Sequence, residues 1–166
     1  NIHFYNGTTL IGTATGASAI SYTTAESLPL KIGLWRVGAS GVDYTRLNGQ
    51  IDDVRIYDRA VTATEINSFN EDPKRTKLNT SQNLQLTDGL VGMWSFNGPN
   101  LRGTLAEDTS GSGNHGTLTN GPVAAQGKVG QALEFDGSDD YVDLGTAALS
   151  GELSGVSAVT VSAWVR

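Results

Sequence analysis

The 166 residues contain no cysteine. That excludes disulfide cross-links, thiolate nucleophiles and cysteine-ligated zinc. Histidine is nearly absent too: His3 and His115 alone make no zinc pattern. Basic residues are few, with 11 Lys and Arg against 17 Asp and Glu, giving a formal charge of -6. An acidic chain does not attract phosphate backbones, so nucleic acid is not an expected partner. The one basic cluster, Lys74, Arg75 and Lys77, has no interleaved aromatics and reads as a solvated linker. No apolar run is long enough to insert in a membrane, and no signal peptide is visible. Asn1 falls inside a strand-like pattern, so any targeting segment is expected outside this sequence. Familiar catalytic motifs are missing as well. There is no G-x-S-x-G elbow, no P-loop and no H-E-x-x-H. Gly12–Ser18 is glycine-rich but follows a hairpin and precedes no helix, so it is no nucleotide loop.

The residues that are present describe a globular β protein. Hydrophobic residues make up 38% and charged residues 17%, a composition that folds. The 21 glycines, with abundant Ser, Thr and Asn, suit short strands joined by tight turns. Ile2–Tyr5, an Asn6–Gly7 turn and Thr9–Ile11 read as a hairpin. Leu30–Leu34 reads as a strand, Asn48–Gly49 as a further turn, and Gln50–Tyr57 as the strongest strand of the first half. Thr62-Ala63-Thr64-Glu65 has the form of a capping box and predicts one short helix after Thr62. Residues 71–88 are polar, contain Pro73 and read as a linker. Further strands are predicted at 89–96, 132–135, 140–144 and 159–165. The pattern predicts a β-sandwich or barrel.

Particular stretches sharpen this. "LVGMWSFNG" (90–98), "DTSGSGNHGTLTNG" (108–121), "GKVGQALEFDGSDDYVDLG" (127–145) and "SAVTVSAWVR" (157–166) resemble the opening half of a LamG-type domain. "IHFYNGTTLIGT" (2–13), "LKIG" (30–33) and "LNGQIDDVRIYDRAVTATEI" (47–66) resemble its closing half. The resemblance implies an all-β, concanavalin A-like jelly-roll sandwich of antiparallel sheets. It divides the chain into a C-terminal half-domain at 1–70, a linker at 71–88 and an N-terminal half-domain at 89–166. The halves stand in reversed order, and the family's middle strands are missing. Three arrangements account for this: the junction of two tandem domains, a permuted single domain, or a polymer subunit completed by its neighbours through strand complementation. Tandem repeats are the favoured arrangement.

The resemblance implies an extracellular or cell-surface location, which the absence of cysteine fits. The expected function is a non-catalytic module of a repetitive surface protein, binding a glycan or an extracellular protein. The alternatives are a structural repeat or fibre subunit assembled by half-domain completion, and an accessory domain of a glycoside hydrolase. Glu134 and Asp136 superficially resemble the acidic strand of retaining β-glucanases. However, Gly137-Ser138 interrupts the strand before Asp139, and a facing carboxylate pair is not expected.

Strand alternation predicts that Asp52 shares the core face with Val54 and Ile56, while Asp53, Arg55 and Tyr57 take the other. A carboxylate buried there needs several hydrogen bonds or a cation. Relatives with laminarinase activity place a structural calcium at a similar aspartate, so the resemblance favours Asp52 over Asp53 as a Ca2+ ligand. Asp108 and Asn114, in the loop 108–116, are further candidate metal ligands; the alternative is a turn in which Asp108 caps its own backbone. On the calcium reading a chelator should lower the melting temperature. Trp94 and Trp164 sit in strand motifs and are expected to be buried. Trp35 and Tyr44 lie in or beside a loop and are the candidate ligand-binding aromatics. Asn79 and Asn6 have the N-glycosylation acceptor form.

Overall fold

The computed structural model describes residues 2–6, 9–14, 30–37, 43–70, 86–145 and 151–166. Two five-stranded antiparallel sheets dominate. In one, β3 (Lys31–Ile32), β13 (Tyr141–Asp143), β10 (Gly116–Thr119), β9 (Leu105–Ala106) and β8 (Leu101–Arg102) lie in that spatial order. In the other, β11 (Val123–Gln126), β12 (Gln131–Asp136), β6 (Asn48–Tyr57) and β14 (Thr160–Val165) are neighbours. β7 (Leu90–Trp94) also pairs with β6. β14 lines one edge of β6; β12 pairs with its first residues and β7 with its last, along the opposite edge. Two hairpins complete the strands: β1 (Ile2–Asn6) with β2 (Thr9–Ala14), and β4 (Leu34–Val37) with β5 (Asp43–Arg46). Both five-stranded sheets mix strands from the first 70 residues with strands from 89–166, through β3–β13, β6–β12, β6–β7 and β6–β14.

The core lies between these sheets. Val54, Ile56, Trp94, Leu133 and Phe135 from one side meet Ile32, Ala106, Val142 and Leu144 from the other. The predicted strand at 30–34 is broken at Gly33, whose φ of 86° turns the chain. A Cβ at Gly33 would lie 2.5 Å from the Phe135 ring, so only glycine lets the core aromatic approach so closely. Asn48–Gly49 is not a turn but the start of β6. A Cβ at Gly49 would strike the Arg166 carbonyl, which accepts the Gln50 N–H at 2.9 Å. The glycine therefore serves a close strand approach rather than a reversal.

Helix α1 (Ala63–Asn70) begins where the capping box predicts. The Glu65 amide donates to Thr62 Oγ1 at 3.3 Å, and Glu65 Oε2 accepts the Thr62 amide at 2.7 Å. Arg59 adds a bidentate pair, with Nη2 to Oε1 at 2.6 Å and Nη1 to Oε2 at 3.0 Å. The Arg59 carbonyl accepts the Thr160 hydroxyl at 2.7 Å, which ties the segment before the helix to β14. The Tyr57 ring stacks on Phe69, so α1 covers the outer face of the β6 sheet.

Candidate functional site

The site is made by an irregularity in β6. Ser162 pairs with Arg55 and Trp164 with Asp52, so three steps along β6 match two along β14. The extra residue is a β-bulge, and Asp53 takes it up with a φ of 50°. The consequence for side-chain direction is direct. Ile51 packs against the core and Val54 lies in it, although residues three apart on an uninterrupted strand face opposite sides. The bulge moves Asp52 to the outer face, beside Gln50, which donates to outer-face Glu134 at 3.4 Å. The alternation that placed Asp52 with Val54 and Ile56 is thereby corrected. Asp53 and Arg55 do share the outer face, joined by a salt bridge of 2.6 Å.

Asp52 is only 2% exposed. Its Oδ2 accepts the Val129 N–H at 2.8 Å. Gly127 lies so close that a Cβ there would be 2.5 Å from the same oxygen. Oδ1 is different: it is the one buried side-chain oxygen or nitrogen, among the described residues, with no hydrogen-bond partner. Burial pushes the Asp52 carboxyl above its ordinary range and the neighbouring Asp53 charge adds to this; the Val129 amide, followed by those of Lys128 and Asp53, only partly offsets it. Asp52 forms part of a cavity of about 280 Å³, with Gln50, Gln126, Lys128, Trp164 and Arg166 also in its wall. Trp164 is half-buried, not enclosed in the core as its strand motif suggests, because it stands on the same outer face as Asp52. The Lys128 ammonium sits 5.4 Å from the centre of the Trp164 ring, a cation–π contact.

The calcium expectation can be tested against these donors. Calcium takes six to eight oxygens. Asp52 is the one carboxylate side chain in the cavity wall, and Val129 already occupies one of its oxygens, far short of that shell. This set does not fit calcium. Asp108 is 5% exposed, and its carboxylate is filled by protein donors. Oδ1 accepts the Met93 and Ser110 amides at 2.9 and 2.8 Å. Oδ2 accepts the Ser110 hydroxyl and the Asn114 amide at 2.9 and 2.8 Å. Asn114 Nδ2 donates to the Val91 carbonyl and to Glu152, each at 2.7 Å, while the Asn114 carbonyl accepts from Trp94 Nε1 at 3.0 Å. Asp108 and Asn114 are thus the fastening of a turn to β7, and they do not converge with Asp52 on one centre. That leaves the turn alternative as the account of the 108–116 loop.

Other sequence candidates are dispersed. Trp35 and Tyr44 stand on the paired strands β4 and β5, opposite Thr45 and Arg36; their side chains lie outside the described ones. Asn6 ends β1, with its side chain likewise outside, and Asn79 lies outside the described residues. Glu134 and Asp136 are both exposed on the outer face of β12. The backbone amide of Ser138 donates to Asp136 at 2.7 Å and holds its carboxyl below the ordinary range. Asp136, Asp139 and Asp140 bring carboxylate oxygens within 4.8 Å of one another at this turn. Sequence reasoning missed Lys128 and Trp164 as site residues. The "GKVG" and "SAWVR" motifs held both, but only the bulge in β6 turns their neighbour Asp52 toward them.

Among the described residues no helix is long and apolar enough to cross a membrane. No curated protein and no solved structure matches the chain. A laminin G family model, described as the concanavalin A-like lectin/glucanases superfamily, matches residues 1–67. The match covers β1 to β6 and most of α1, the segment that supplies the bulged strand. This match to residues 1–67 and the antiparallel two-sheet architecture both support a concanavalin A-like β-sandwich.

Proposed function

We propose that this chain is a non-catalytic extracellular recognition module, binding a glycan or a protein through the outer-face pocket at Asp52 and Trp164. The observation that carries this reading is the pocket itself. It pairs a buried carboxylate oxygen that lacks a donor with a half-exposed tryptophan. Binding sites favour such a mix of apolar wall and few polar groups. Hydrolysis of a glycoside needs two carboxyl groups facing one cleft, about 5 Å apart in retaining enzymes. Asp52 has no second acid beside it in the pocket wall, which supports binding over cleavage. The test is a glycan array and a panel of purified extracellular proteins probed with the intact chain and with Trp164→Ala. Binding lost in the variant, with no reducing ends released from bound glycans, supports the reading. Release of reducing ends that vanishes in Asp52→Asn overturns it.

One observation favours a second reading, completion of the fold between neighbouring copies. Among the described residues β14 is the last strand of its sheet. Val161 and Val165 stand opposite Ile56 and Ile51, on the core side, yet they are 66% and 65% exposed. An edge strand, free among the described residues and carrying exposed valines, invites strand addition. Tandem or fibrous arrangements would exchange the β6–β14 pairing between neighbours. Sedimentation of the chain, compared with Val161→Lys, distinguishes them: concentration-dependent assembly abolished by the lysine supports completion, and a monomer at all concentrations removes it.

A further inference from the structure

We infer that the pocket at Asp52 receives a primary ammonium on an apolar stem, the chemistry of a lysine side chain presented by a partner protein. This rests on the pocket being the recognition site, and it narrows what enters it. The first argument is the state of the carboxylate. Asp52 is 2% exposed, and its Oδ1 has no donor. A charge held in that way gains most from a cationic donor. The second is the number of free oxygens. Oδ2 already accepts the Val129 amide, so Oδ1 is the single oxygen left without a donor, buried in the wall of the cavity. A guanidinium fork binds best to both oxygens of a carboxylate, whereas an ammonium is a point charge satisfied by one.

The third argument is the wall. The ring of Trp164 already has an ammonium over it, that of Lys128, at 5.4 Å. The aromatic face therefore attracts the same class of cation, and Lys128, exposed and on a flexible stem, holds a place that a ligand ammonium would take. The fourth is size. A volume of about 280 Å³ falls just below the range of pockets for drug-sized molecules and suits one side chain. The formal charge of -6 favours approach of a cationic partner over long distances.

The experiment titrates the whole chain with n-butylammonium and follows the Trp164 indole N–H by two-dimensional NMR. The neutral isostere n-butanol, methyl glucoside and calcium chloride serve as comparisons. The expected result is a saturable shift with n-butylammonium and none with n-butanol. Affinity should fall about tenfold in Asp52→Asn, as loss of one charge-assisted hydrogen bond requires. It should rise in Lys128→Met, which removes the internal competitor. A lysine-containing peptide amide should bind where its norleucine counterpart does not, and tighter than n-butylammonium; binding of the free amine alone would overturn the assignment to a protein side chain. An equal response to n-butanol, or saturation by calcium, would overturn the inference outright, and neither depends on a variant folding. Binding of methyl glucoside without an ammonium response would defeat this inference yet leave the glycan-binding module standing.

Discussion

Protonating Glu65 should loosen the junction between α1 and the β6 sheet. The Glu65 side chain is 7% exposed, and its carboxylate holds the Arg59 guanidinium through two hydrogen bonds. It also accepts from the Thr62 amide. The Arg59 hydrogen bonds are the largest influence, and together these contacts lower its carboxyl from 4.5 to about 2. A carboxyl lowered in the folded state contributes stability at pH values above its unfolded value. That contribution is lost as pH falls through the folded one. The difference corresponds to about 3 kcal/mol at neutral pH, reduced toward about 2 kcal/mol because Arg59 is partly in contact with solvent. Urea denaturation at pH 7 and pH 3 should show most of this loss in the parent chain. In Glu65→Gln the neutral-pH stability should already be lower, and the fall between pH 7 and pH 3 correspondingly smaller. An identical pH dependence in parent and variant would refute the claim that the Arg59–Glu65–Thr62 cluster secures the helix.

Three further outcomes follow from the same structure. Asp108→Ala removes the acceptor of four donors and should cost about 2–4 kcal/mol in urea denaturation; a change within surface-mutation scatter would contradict the fastening role. Gly33→Ala places a methyl group against Phe135 at a φ of 86° and should destabilise by about 1–3 kcal/mol. A neutral or stabilising result would mean the β3–β4 break tolerates a side chain. Any effect of EDTA on the melting temperature should be the same in the parent and in Asp52→Asn, since Asp52 offers no calcium shell; a fall of several degrees that the variant abolishes would restore the metal reading there.

What could be read from the residues was local. The capping box from Thr62 to Glu65 lies within four consecutive residues, and α1 starts as it predicts. The strands around Ile56, Trp94, Leu133 and Val142 carry dense apolar patterns, and all four residues are buried. What escaped depended on pairing between distant segments. Gly49 looks like a turn until the Arg166 carbonyl is placed against it. Asp52 looks core-facing until the β14 register exposes the extra residue at Asp53. β10 and β11 are four-residue strands with a single large aliphatic side chain each, Leu118 and Val123, and only their neighbours in the sheets define them. The candidate site suffered most. Its carboxylate was identified, but its direction, its aromatic wall and its lack of metal donors all follow from one bulge.

The central claim is that this bulge buries Asp52 on the outer face with one oxygen free. A ¹³C titration of the Asp52 side-chain carboxyl tests it most directly. The account predicts a midpoint above the ordinary aspartate value of 3.8, because burial disfavours the charge and the nearby amides, Val129 foremost, do not compensate. The midpoint should move down when n-butylammonium saturates the pocket. A midpoint at or below 3.8 in the free chain would mean that Oδ1 already has a partner, and the pocket as described would not exist.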